Sequence, residues 1–291
     1  MAQSQLFALS PAGASSVEIS TDRYEVKFAQ TQKDIESALR LRFEVFNIEF
    51  ANKNLDNDDD GLEFDEFDYH CRHLIVIEKK TRKTVGTYRV NSIEYAGQVN
   101  DLYAFSEFSI EDLPDEVLER SVEIGRACIA LDHRNTRVLF LLWKGLADHL
   151  KETDKRFLFG CCSIFTTDCS IGTKAFQQLK ERGFFHVAYA VKPRDGKACP
   201  QVEFAADKMA VELPSLFNMY LRIGAKVCGP PVIDREFGTI DFFVVFDVEN
   251  VNEKYRKIFF SDHSQSQTKT RSSNSKLKAA SNFNTVEHLV P

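Results

Sequence analysis

The chain has 291 residues, 43% of them apolar and 12% aromatic, enough to build one large hydrophobic core or two small ones. A formal charge of -6 excludes general nucleic-acid binding, which depends on a basic surface laid against phosphates. No apolar run reaches the length of a membrane span, and Met1 to Ser20 lacks the basic and apolar segments of a signal peptide, so a cytoplasmic protein is expected.

Seven cysteines form no CxxC pair and no Cys/His cluster with zinc spacing, so reduced core thiols and no metal site are expected. Residues 1–22 are small and polar and are expected to be disordered; the folded domain is expected to span 23–252. Tyr24 to Phe28 alternates like a first strand, and Thr31 with Asp34 then forms a helix N-cap. In the following helix, Ile35, Ala38, Leu39, Arg42 and Phe46 share one stripe, which places Arg42 on the buried side and leaves Arg40 in water. An arginine there is either the partner of a buried acid or a ligand for an anion arriving from solution.

Asn52 to His70 is the most acidic stretch. Asp56 to Gly61 looks like the opening of an EF-hand loop, but Phe67 stands where the bidentate glutamate belongs, so a charged loop able to attract a cation fits better. Asp65 and Asp68 close this stretch. His73 to Glu78 and Thr84 to Val90 read as an antiparallel hairpin carrying Arg89, and a long flexible connection leads past Pro114.

Ser121-Val122-Glu123-Ile124-Gly125-Arg126-Ala127-Cys128-Ile129 is a core strand interrupted by an acid, a glycine and a base. Ionised groups persist in such a strand only when paired or employed. A spacing of three sends Glu123 and Arg126 to opposite faces unless a bulge or bend intervenes, and Gly125 is the residue expected to permit it.

Thr136 to Glu152 has the pattern of an amphipathic helix, Arg156 to Ile164 of a buried central strand, and Lys174 to Arg182 of a helix stopped by Gly183. Phe185 to Val191 is expected as a further strand. Pro214 to Arg222 is expected as a helix, with short and long strands at Ala225 to Val227 and Ile240 to Phe246. Residues 253–291 turn polar and are expected to form a disordered tail, inert or drawn to an anionic membrane surface.

Leu39 to Phe46, Phe67 to Val76, Glu123-Ile124-Gly125-Arg126, Leu142 to Leu146, Leu158 to Ser163, Tyr220 to Ala225 and Asp234 to Asp241 together resemble the bacterial ornithine-acyl carrier protein N-acyltransferases of the GNAT superfamily. A more distant resemblance is to acyl-homoserine-lactone synthases, on Arg42 with Phe46, Asp65 with Asp68, Arg89, and Glu123 with Arg126. The resemblance implies an α/β fold of the GNAT type, a mixed central sheet splayed at a bulged strand and flanked by helices.

It also implies transfer of a fatty acyl group from a thioester on acyl carrier protein to an amino-acid amine, ornithine foremost, with no resident cofactor and possible peripheral membrane contact. The loop Arg134-Asn135-Thr136-Arg137 lacks the glycines that hold the pyrophosphate of CoA, which suits a donor on a carrier protein docked against Arg134, Arg137, Lys144 and Lys151.

On this basis Glu123 is the expected general base, or otherwise an ion-pair partner of Arg126, which steadies the donor side. Backbone N–H groups at Ala127 and Cys128 would bind the thioester carbonyl. Arg42 and Arg89 would hold the acceptor's carboxylate, and Asp65 and Asp68 would attract its amines. The rival readings are another acceptor (glycine or S-adenosylmethionine), a CoA-dependent acetyltransferase, and a non-catalytic acyl-carrier or lipid-binding module.

Overall fold

The computed structural model describes residues 17–50, 60–134, 136–200 and 210–260. Among these, nine strands form one mixed sheet. Strands β1 (Glu18–Ser20), β2 (Tyr24–Phe28), β3 (Arg72–Glu78), β4 (Thr84–Asn91) and β5 (Ser121–Ile129) pair antiparallel in chain order. The next strand, β6 (Phe157–Ile164), lies parallel to β5. The short β7 (Lys226–Val227) and β8 (Val232–Asp234) share one side of β9 (Thr239–Asp247), whose other side pairs with β6.

Residues paired across a sheet share a face, so alternation along each strand sorts the side chains into two sets. On one face Ile75 and Ile77 pack against Ile35, Ala38 and Leu39 of helix α1 (Gln32–Arg42), capped by Thr31 and Asp34 as expected. Further along that face, Phe159, Phe243 and Val245 pack against the segment between β4 and β5, which contains α2 (Ile93–Ala96), α3 (Tyr103–Glu107) and α4 (Asp115–Glu119). That segment is therefore not the flexible connection expected. Its helices are too short to show a period, and their order comes from burying Leu102, Phe108, Ile110 and Val117 on the sheet.

The other face carries Leu74, Val76, Tyr88, Leu158, Val244 and Phe246 and is covered by α5 (Thr136–Glu152), α6 (Cys169–Glu181), α7 (Ser215–Ile223) and α8 (Glu253–Phe259). The close seat of α5 depends on Gly86, where a Cβ would lie 2.7 Å from Val138. Both ends of the domain reach past the expected limits: β1 pairs with β2, and α8 buries Phe259 beside Phe140 and Trp143. The segment Phe185 to Val191 is not a strand. It makes one bridge from Phe185 to Val227 and then a 3-10 turn at Val187–Tyr189, because its neighbour β7 is only two residues long and offers no further edge to pair with.

The parallel register of β5 and β6 stops at Glu123 with Phe159. A Cβ on the next residue of β6, Gly160, would lie 2.2 Å from the Ile124 carbonyl oxygen, so that oxygen leans into space only glycine leaves open. Gly160→Ala is expected to cost about 1–3 kcal/mol by overpacking against backbone, read as a lower thermal midpoint. A midpoint equal to wild type would show that the strands part there without strain.

Candidate active site

Where β5 leaves β6 it also bulges against β4. Thr87 pairs with Cys128 and Arg89 with Gly125, so Tyr88 alone faces both Arg126 and Ala127. Arg126 takes the left-handed conformation, φ 48°, rare for a side chain of its size and of the kind stored at functional sites. The bend thus sits at Arg126 and not at Gly125, whose φ is not positive. A Cβ on Gly125 would meet nothing within 4 Å, so its part is to leave space open.

That space is a cavity of about 120 Å³ between the parted strands, bounded by Glu123 to Ala127 on one side and Leu158 to Ser163 on the other. It passes through the sheet, and the two faces line it differently. Toward α5 and α7 the wall is Tyr88, Trp143, Phe217, Tyr220, Val244 and Phe246. Toward α1 and α3 it is Arg89, Asn91, Tyr103, Glu123, Arg126 and Asp241. An apolar slot and a charged chamber therefore meet at the bulge.

Glu123 is buried on the chamber wall, and its two oxygens accept the backbone N–H groups of Tyr103 (3.1 Å) and Ala104 (2.7 Å). Burial raises its pKa, and the Ala104 N–H, the Arg89 charge and the Tyr103 N–H offset only part of that. The alternative of a Glu123–Arg126 ion pair is not what forms: Arg126 pairs with Asp65 (2.8 Å) and Glu63 (3.2 Å).

Those acids belong to one network. Arg42, with no exposed surface, grips Asp68 through two bonds (2.6 and 2.9 Å) and gives its Nε–H to Glu63. Arg89 reaches Asp65 (2.5 Å) and Asp68 (3.5 Å). Burial opposes charge on Asp68, but Arg42 and Arg89 beside it hold its carboxyl far below the usual range. Burial likewise opposes charge on Arg42, and Asp68 and Glu63 push it well above its ordinary value. Asp65 and Asp68 also cap the 3-10 turn Glu66–His70, which fixes the acids relative to the sheet.

The expectation that Arg42 and Asp68 touch the acceptor is not met in this geometry: both are sealed and spent on each other. Asp65 is taken by two arginines, and Arg89 and Arg126 are the network's members on the cavity wall. Glu63 was missed, since one more acid in an acidic stretch carries no signal of burial. Tyr103, whose ring lies within 5.5 Å of the Arg89 and 5.4 Å of the Arg126 guanidinium carbon, was missed inside the segment read as a connection.

On the donor side, Ala127 lines the cavity, whereas the Cys128 side chain is buried away from it and its thiol is pushed far up by burial, which removes it as a nucleophile. Arg134 donates to the Ile129 carbonyl (3.1 Å) and pairs with Glu49, and Arg137 is exposed on the first turn of α5. Neither lines the cavity. Lys144 pairs with Asp148 (3.3 Å). Asp56 to Asp59 of the EF-hand-like run lie outside the described residues, as does the chain beyond Phe260. The side chains of Asp68, Cys71 and His73 bring donor atoms within 4.8 Å of one another. Both Asp68 oxygens serve Arg42 and burial keeps the Cys71 thiol protonated, which suits hydrogen bonding better than a cation.

Residues 41–144 match the family model described as an acetyltransferase (GNAT) domain, and the mixed sheet parted beside a bulged strand is a GNAT-type acyltransferase fold. An L-ornithine N(alpha)-acyltransferase of Rhodobacter capsulatus is 30% identical over 81% of this chain and 94% of its own length. A second protein of that name, from Brucella abortus, is 29% identical over 79% and 86%. A solved CoA-dependent acyl-homoserine lactone synthase with SAM and isopentyl-CoA superposes with a TM-score of 0.45 at 14% identity, covering 78% of this chain and 81% of that one. The chain belongs to the L-ornithine N(alpha)-acyltransferase family.

Proposed function

We propose that the protein moves a fatty acyl group, 3-hydroxylated or not, from acyl carrier protein to the α-amine of ornithine, giving a lyso-ornithine lipid. The observation that carries this reading is the cavity's two-sided wall: the product is an apolar chain joined through an amide to a charged amino acid, and slot and chamber meet where that amide would form.

A thioester is already activated, so the chain must align two substrates, take a proton and stabilise an oxyanion. The acyl chain lies in the slot beside Trp143 and Phe217, and its carbonyl comes to the unpaired edge of β5 near Ala127. Glu123 takes the amine's proton, directly or through water. Arg126, expected on the donor side, shares the charged wall with Arg89, and both face the acceptor's carboxylate, while Asp65, Asp68, Glu63 and Arg42 hold those guanidinium groups in place from behind.

No helix among the described residues is long and apolar enough to cross a membrane. On this reading the enzyme works in the cytoplasm, docks the carrier protein near Arg134 and Arg137, and meets the bilayer peripherally when its product leaves. Incubating the purified chain with 3-hydroxyacyl-acyl carrier protein and ornithine is expected to release the carrier thiol and yield a mass equal to N-acylornithine. A mass for an acylated glycine or lactone instead would replace the acceptor, and transfer from acyl-CoA alone would replace the donor.

A further inference from the structure

One carboxylate on the chamber wall takes no part in the proposed chemistry. Asp241 stands in β9 between Ile240 and Phe242, is 2% exposed, and lines the cavity. Its Oδ1 has no hydrogen-bond partner among the described residues. A buried carboxylate oxygen left without a donor is costly, so its persistence calls for an incoming group.

Asp241 shares a sheet face with Glu123, because Glu123 is level with Phe159 on β6, Phe159 pairs with Val245, and Val245 and Asp241 have the same parity along β9. Tyr103 runs along the same wall: its backbone N–H binds Glu123, and its hydroxyl donates to Asp234 (3.1 Å), which is level with Thr239, two residues from Asp241. The two acids thus face the same cavity from one side of the sheet, two strands apart across it and four residues apart along β9. The two nitrogens of ornithine are five single bonds apart, roughly 6 Å when extended, so an acceptor lying along that face presents its two amines at different points of the wall.

The electrostatics have the same sense. Burial raises the Asp241 pKa against the hydroxyls of Ser163 and Thr239, and the neighbouring Asp234 raises it further. Arg126, the cation that acts on it, is already held by Glu63 and Asp65. An added ammonium group would supply both the missing donor and the missing charge.

We propose that Asp241 receives the distal ammonium of a diamino-acid acceptor and so distinguishes ornithine from a neutral amino acid of equal length. This rests on the reading of the site as an amino-acid N-acyltransferase. It assigns the recognition of the distal amine to β9 and not to the acids of the arginine network.

The test compares acylation of ornithine with that of norvaline, its carbon skeleton without the distal amine, using the full chain and whichever donor thioester supports the wild-type reaction. Wild type is expected to favour ornithine. In Asp241→Asn the ornithine-to-norvaline ratio of kcat/KM is expected to fall roughly 10- to 100-fold, mainly through KM for ornithine, as for the loss of one charge-assisted hydrogen bond. An unchanged ratio in a folded variant overturns the proposal. Equal use of both acceptors by wild type also overturns it, and needs no variant to fold; in either case acyl transfer to amino acids stands. If wild type acylates no amino acid from either donor, the reading of the site fails and the subsite with it.

Discussion

Replacing Glu123 by glutamine is expected to lower kcat by roughly 10²- to 10⁴-fold, the usual range for loss of a positioned general base. The carboxylate also receives two N–H groups at the start of α3, so the variant must separate chemistry from support. Glutamine keeps one acceptor and turns an NH2 toward the other N–H, a loss of about 1–2 kcal/mol that thermal denaturation would register without unfolding the chain.

The pH profile separates the roles further. A base must be deprotonated, and burial raises the Glu123 pKa, so wild-type kcat/KM is expected to fall on acidification at a pH above the ordinary glutamate range. Glu123→Gln should erase that limb. A raised pKa in the folded state also means that Glu123's contribution to stability is complete below its unfolded value and is lost as pH rises through the folded one, so the variant's stability deficit should shrink toward neutral pH. A variant that kept the acid limb would place the base elsewhere.

The second large effect is expected from Arg42→Ala. Removing the guanidinium leaves Asp68 and Glu63 buried without their main cation, and breaking a buried pair from one side costs about 3–5 kcal/mol. Its pH sense is opposite to that of Glu123. Asp68 is held far below its ordinary pKa, so in wild type its contribution is present above the unfolded value and is lost only as pH falls through the folded one. Urea titrations at several pH values should show the wild-type advantage at neutral pH and its narrowing in acid. Activity should fall as well, because the same acids hold Arg89 and Arg126 at the cavity. A loss below about 1 kcal/mol would mean that the network is a surface-like set of pairs with little bearing on the fold.

The parts of this site that were legible in the sequence share one property: a charge stood where local periodicity demanded an apolar residue. Arg42 interrupts the stripe of α1, and Glu123 and Arg126 interrupt a core strand, so each needed a partner or a task before any contact was known. Asp241 sends the same signal between Ile240 and Phe242, in a strand that is otherwise apolar from Phe242 to Phe246. Glu63 sends no such signal, because acids around it are ordinary in a loop and only the approach of Arg42 and Arg126 buries it. The covering segment around Tyr103 was illegible for another reason: helices of four or five residues are too short for periodicity to emerge.

Alternation and helical period, which are local, settled the order of the main strands and helices, the burial of Arg42, and the need for a bulge between Glu123 and Arg126. The tertiary structure alone decided that the bend falls at Arg126, that Asp65 and Asp68 turn inward to serve arginines, and that the sheet opens with an apolar wall on one face and a charged wall on the other. Those outcomes depend on which distant strands pair and how far they part. Pairing energy of that kind is summed over residues scarcely close in sequence, so no window of the chain contains it.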